Sequence, residues 1–187
     1  MAALAIPPAT LTIEQFVAMT ADRRPYPEWV DGKIEERPVP SFLHSLFSGA
    51  AIAVVNKTGT LVSGPEVHSR VGRNYRLPDV AIWDKRKLPT EDYPSTPPLA
   101  TIEVLSPGQS MTKMLKKCVE YERWGVKHIW LIDPEERALF VYRDGRITEV
   151  EVLEIPEHKL RITLADLLPA PESPGTQSTS PSDAPVA

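Results

Sequence analysis

Cysteine is nearly absent: Cys118 stands alone among 187 residues, which excludes an intrachain disulfide and any cysteine-built zinc site. No run approaches the roughly 20 apolar residues of a membrane-spanning helix. The opening Met1-Ala2-Ala3-Leu4-Ala5-Ile6-Pro7-Pro8 lacks the basic start of a secretory signal. No membrane partner and a cytoplasmic location are therefore expected. Positive charge is not in excess either. A net charge of −4 argues against a strong, sequence-blind DNA binder, although acids clustered at a metal site would themselves contribute to it. Internal repeats, a helix-turn-helix phrase and a zinc finger are all missing. What remains is ordinary globular composition, 42% hydrophobic and 25% charged, with enough chain for one domain and a proper core.

Local signals divide that chain. Thr12-Ile13-Glu14-Gln15 is a capping box, with Leu11 and Phe16 spaced as a hydrophobic staple. It opens a short helix packing through Ile13, Phe16 and Val17 and ending before Pro25. Glu28 to Glu35 reads as a hairpin about Asp31-Gly32. Ser41 caps a second helix through about Asn56, with Phe42, Leu46, Ala50, Ala53 and Val54 as its apolar stripe. Strands follow near 60–68, 74–83 and 100–105, the last two separated by a proline-rich loop. Ser110 caps a third helix, which stops at Gly125. His128 to Asp133 is a buried strand, and Asp133-Pro134 a turn. Ala138–Arg143 and Ile147–Val152 make a hairpin about Asp144-Gly145. Leu160–Thr163 is a weaker strand and Leu164–Leu168 a helical turn.

This order indicates an α/β domain over residues 11–168, with a central mixed β-sheet flanked by helices and additional N-terminal and C-terminal β-hairpins. Ile102 to Ile132 forms a βαβ unit with parallel strands. The Pro/Ser-rich tail, 169–187, is expected to be disordered.

Two acids stand out. Asp79 follows Pro78 at the head of Val80-Ala81-Ile82-Trp83, and Glu103 lies inside Ala100-Thr101-Ile102-Glu103-Val104-Leu105. A carboxylate in so apolar a run is costly unless protonated, paired or holding a cation. Two on neighbouring strands would make an oxygen-rich pocket suited to Mg²⁺ or Mn²⁺. Bland readings stand beside this one. Asp79 would simply accept backbone hydrogen bonds, Glu103 would pair with Lys117, and Glu28 would be a surface acid. His44 would be a partly buried polar residue or else stand near a phosphate, and Tyr121, Trp124 and Trp130 would be core or interface. Basic residues gather at Arg70, Arg73 and Arg76 and at Lys113, Lys116, Lys117, Arg123 and Lys127. They would either flank a phosphate backbone or form solvated faces.

An ordered set of phrases then resembles a known family: Glu28 to Gly32, Pro78-Asp79, Glu103 to Pro107, Lys117 to Tyr121, Gly125-Val126 and Trp130 to Pro134. Together they resemble the PD-(D/E)XK superfamily of restriction-endonuclease-like proteins, and more narrowly its Uma-type branch. The resemblance implies a four-stranded mixed sheet between helices, with a divalent cation at one sheet edge. Asp79, Glu103 and the backbone carbonyl of Val104 would be its ligands, with Glu28 joining directly or through water. It implies endonuclease chemistry, with metal-bound water attacking a nucleic-acid phosphodiester, most simply in DNA, to leave a 5′-phosphate. The motif lysine, two residues after the glutamate, is replaced by Leu105. Lys117 on the third helix is the matching residue, at the border of a face formed by Met111, Met114, Leu115 and Cys118. Two rivals to cleavage remain. One is an inactive nuclease-fold module that binds nucleic acid or protein, and the other a structural oligomer with a buried charge network. A homodimer or higher homo-oligomer is compatible with the nuclease reading, because cutting both strands takes two sites.

Overall fold

The structure, a computed structural model, describes residues 11–168. The opening segment and the tail 169–187 lie outside those residues. Helix α1 (Ile13–Thr20) begins as its sequence dictates: Thr12 Oγ1 accepts from the Gln15 amide, and the Gln15 side chain returns to the Thr12 amide. The staple forms too, since Leu11 and Phe16 bury in one cluster with Trp29 and Tyr75. Strands β1 (Glu28–Val30) and β2 (Lys33–Glu35) make the expected hairpin. Its turn places Asp31 at φ 48° and Gly32 at φ 81°, the left-handed pair that a tight two-residue hairpin requires.

Helix α2 (Phe42–Lys57) is capped by Ser41, whose hydroxyl accepts from the His44 amide. Its buried face is Phe47, Ala51 and Val55, not the stripe through Phe42, Leu46, Ala50, Ala53 and Val54; Phe42 is 79% exposed. The helix is apolar almost all round, so periodicity selects no face. Packing against β3 (Leu61–Pro65) and the central sheet does.

The expected strand 74–83 is two strands in two sheets. After the short β4 (Ser69–Val71), β5 (Asn74–Arg76) pairs with β4 and β1. Then β6 (Val80–Asp84) pairs with β3 and β7 (Ala100–Val104). Leu77-Pro78-Asp79 carries the chain from one sheet to the other, and Pro78 has no N–H with which to continue a ladder. Helix α3 (Met111–Trp124) starts at Ser110 and ends at Gly125, in the left-handed region at φ 107°. It connects β7 to β8 (His128–Asp133), and those two strands are parallel. Strands β9 (Ala138–Arg143) and β10 (Arg146–Val150) complete the sheet. Strands β11 (Leu153–Ile155) and β12 (Leu160–Ile162) pair with each other, and α4 (Leu164–Leu167) follows.

The central sheet is therefore six-stranded, in the order β10-β9-β8-β7-β6-β3, rather than four-stranded. It is mixed, because only β7–β8 among its pairs is parallel. The N-terminal hairpin belongs to a second sheet, β2-β1-β5-β4. Alternation along β7 decides what happens next. Ala100, Ile102 and Val104 enter the core beneath α2, so Thr101 and Glu103 face the side covered by α3. On that side Met114, Cys118 and Tyr121 pack with Ile129 and Leu131.

Candidate active site

Asp79 and Glu103 meet where the two sheets and α3 converge. Val80 pairs with Ile102, which brings the residue before one alongside the residue after the other. Asp79 is 4% and Glu103 2% exposed, and both line a cavity of about 490 Å³ with Glu28, Arg37, His44, Arg76 and Lys117. Asp79 is anchored by β7 itself, its Oδ2 accepting from the Val104 amide at 2.8 Å. Its Oδ1 accepts from Arg37 Nη2, and His44 Nε2 stands 3.6 Å from the same oxygen. His44 is tethered from behind by Ser106 Oγ, 3.2 Å from Nδ1.

Lys117 is central to the buried face of α3, not at its border. Met111 and Leu115, expected beneath that helix, are 51% and 37% exposed, while Lys117 is 7% exposed. Its ammonium lies 2.8 Å from Glu103 Oε2 and 2.9 Å from Glu28 Oε1, and it also approaches the Leu77 carbonyl at 3.4 Å. A buried lysine so paired remains charged: burial opposes the ammonium, and Glu103 and Glu28 overcome that and raise its pKa. One turn on, Tyr121 Oη donates to Glu103 Oε1 at 2.7 Å. Both Glu103 oxygens are thus held from α3.

Glu28 is not a surface acid. It is 5% exposed, and its Oε1 accepts from the Leu77 amide at 2.8 Å. Its Oε2 accepts from Arg76 Nη1, also at 2.8 Å. Arg76 in turn forks onto Glu120, through Nε at 2.8 Å and Nη2 at 2.7 Å. Proximity along the chain groups Arg76 with Arg70 and Arg73 as a phosphate-facing residue; in the fold its donors are engaged inside the protein. With both oxygens occupied, as those of Asp79 and Glu103 also are, Glu28 anchors Lys117.

The two glutamates respond oppositely to similar burial. For Glu28 burial works upward, but Lys117 and Arg76 prevail and hold its carboxyl at about 2. For Glu103 burial also works upward, Lys117 opposes it, and repulsion from Asp79 and Glu28 brings it to about 7. Negative charge is left over at Glu103, and a cation would relieve it. The donor set fits a hard divalent cation, being two buried carboxylates with the backbone of Val104 beside them. Among the described residues no three of His, Cys, Asp and Glu form a ready metal cage. A cation here would keep non-protein oxygens as well, as Mg²⁺ commonly does.

Sequence reasoning brings Asp79, Glu103, Val104, Glu28 and Lys117 to one place, and the structure does so too. Sequence reasoning misses Arg37 and Glu120, places Arg76 among residues that would flank a phosphate backbone, and gives Tyr121 and His44 bland roles. Only Tyr121 carries a signal, its four-residue spacing from Lys117 on one helix face.

The sequence profile of the Uma2 family, described as "Putative restriction endonuclease", matches residues 13–173. A similar solved structure is the "putative nuclease belonging to DUF820" from Anabaena variabilis ATCC 29413, 26% identical with a TM-score of 0.73. The match covers 84% of this chain and 97% of that one. No curated protein matches the chain. Among the described residues no helix is long and apolar enough to cross a membrane. Matched from the first turn of α1 to beyond α4, the chain belongs to the Uma2 family.

Proposed function

We propose that this chain is a divalent-cation-dependent endonuclease, built on a restriction-endonuclease-like core, that hydrolyses phosphodiesters in nucleic acid and foremost in DNA. One observation carries the reading. Asp79, just before β6, and Glu103, near the end of the neighbouring β7, are both nearly inaccessible and line a cavity where a buried lysine also lies. Burying such a group is a net cost that a purely structural core avoids.

Asp79, Glu103 and the Val104 carbonyl would hold Mg²⁺ or Mn²⁺. The cation would supply Lewis-acid polarisation of the phosphoryl group and an acidified water. Lys117 stays protonated between Glu28 and Glu103, orients water and neutralises charge developing on the phosphate. Glu28 fixes Lys117 rather than reacting, and Tyr121 keeps the Glu103 carboxylate facing the cavity. Lys113 and Lys116, exposed at the cavity rim, attract the phosphate backbone despite the acidic net charge.

Calorimetric titration with Mn²⁺ to millimolar concentration tests this directly, using wild type, Asp79→Ala and Glu103→Ala. Saturable binding in wild type, lost in both variants, is expected, followed by metal-dependent nicking of plasmid DNA. Absence of binding in wild type, even with a phosphodiester analogue present, would sink the catalytic reading. A second reading has its own support, because Arg37, Arg76 and Lys117 already pair with Asp79, Glu28, Glu120 and Glu103. A site neutralised from within suits a nucleic-acid-binding module that no longer cleaves. It predicts DNA binding undiminished in chelator.

A further inference from the structure

Three buried or nearly buried cations serve the cavity, and they are not equivalent. Arg76 has its donors on Glu28 and Glu120, with its side chain 5% exposed. Lys117 has Glu28, Glu103 and the Leu77 carbonyl, with its side chain 9% exposed. Moving either would strand a buried carboxylate. Arg37 differs. It lies between β2 and α2 rather than in a strand or helix, next to Pro38. One of its partners is Glu66, whose side chain is 44% exposed and sits 2.7 Å away. An acid that exposed regains water when the pair opens and loses little. The other partner is Asp79 Oδ1, an oxygen that the proposed metal site requires. The remaining Asp79 oxygen is tied to the Val104 amide, so the guanidinium, with His44 Nε2 3.6 Å from the same oxygen, caps the side of this carboxylate that a cation would use.

We infer that Arg37 is a displaceable cap on Asp79 and, once displaced, the residue that takes the substrate phosphate. The inference rests on the metal-dependent reading above. In the free protein Arg37 is a counter-ion to the buried Asp79 carboxylate, with His44 beside the same oxygen. When a divalent cation replaces it there, no buried charge loses its partner. The freed guanidinium, still on the cavity wall, presents a planar fork of donors suited to two phosphate oxygens. Metal and phosphate binding are then linked, each strengthening the other.

The two ideas separate in one experiment. In ¹⁵N-labelled protein the Val104 amide reports on Asp79 Oδ2 and the Arg37 Nε–Hε signal reports on the cap. The Arg37 signal is assigned by its loss in Arg37→Gln. On titration with Mg²⁺ both signals should move with one saturation curve. Inorganic phosphate added at saturating Mg²⁺ should move Arg37 again. A Val104 shift with a stationary Arg37 signal overturns the cap while leaving the metal site standing. If neither signal moves, the metal reading fails and the cap fails with it. Arg37→Gln should also tighten Mg²⁺ binding in the absence of phosphate. At saturating Mg²⁺ it should weaken phosphate by at least about tenfold, the worth of one charge-assisted hydrogen bond. A merely structural arginine would not move the two affinities in opposite directions, and unchanged affinities would refute the inference.

Discussion

Tyr121 and Glu103 share a buried hydrogen bond of 2.7 Å, from the phenol on α3 to Oε1 on β7, while Lys117, one turn earlier, holds the other oxygen at 2.8 Å. A single helical spacing, i to i+4, therefore fixes the orientation of the one carboxylate in the cavity that burial and its neighbours bring to about 7. The phenol stabilises the ionised form of Glu103. Tyr121→Phe should cost about 1–3 kcal/mol, because a buried acceptor is left without its donor. Urea unfolding in chelator reads this, and a change within error would mean that water replaces the hydroxyl.

Removing the lysine should be harsher. Lys117→Met leaves Glu28 and Glu103 buried without their shared cation. About 3–5 kcal/mol of destabilisation is expected for breaking a buried ion pair. Adding Glu103→Gln to Lys117→Met should restore part of it, because one stranded charge disappears. A double variant as unstable as additivity predicts would mean that the two side chains are not coupled.

The same glutamate sets a pH dependence in the absence of metal. Its carboxyl titrates near 4.5 when unfolded and about 7 when folded, so between those values the folded state binds more protons. Its contribution is fully present below 4.5 and is lost as pH rises through 7. Glu28 acts in the opposite sense, since its folded value of about 2 gives stability present above 4.5 and lost as pH falls toward 2. Urea midpoints of wild type between pH 5 and 8, in chelator, should therefore fall relative to those of Glu103→Gln. Parallel profiles for the two proteins would contradict the raised value.

Cys118 offers a clean probe of α3. It is wholly buried, and burial, with Glu103 nearby, pushes its thiol up to about 12. Ellman's reagent should leave the native protein untouched at pH 8 and react fully in urea, since only the thiolate attacks. Rapid native labelling would show that α3 opens locally.

The rim lysines test the nucleic-acid reading without touching the carboxylates. Lys113→Gln with Lys116→Gln should leave stability unchanged within about 0.5 kcal/mol. It should also lower the slope of log Kd against log salt for DNA by about 1–2, close to one unit for each phosphate no longer neutralised. An unchanged slope would place the nucleic acid elsewhere.

What the sequence determined by itself is what neighbours along the chain decide. Thr12, Ser41 and Ser110 start helices and Gly125 stops one, while Asp31-Gly32 and Asp144-Gly145 turn hairpins, all through interactions within a few residues. Glu103 declared itself because a charge inside an apolar strand is costly wherever that strand lies. The tertiary structure decided the rest. Nothing local tells which face of the all-round apolar α2 is buried, or that Leu77-Pro78-Asp79 passes between two sheets. Nor does it tell that Lys117 sits under its helix rather than beside it. Arg37 meets Asp79 across 42 residues and Arg76 meets Glu28 across 48. Coulombic pairing depends on distance in space, and only the folded chain sets that distance.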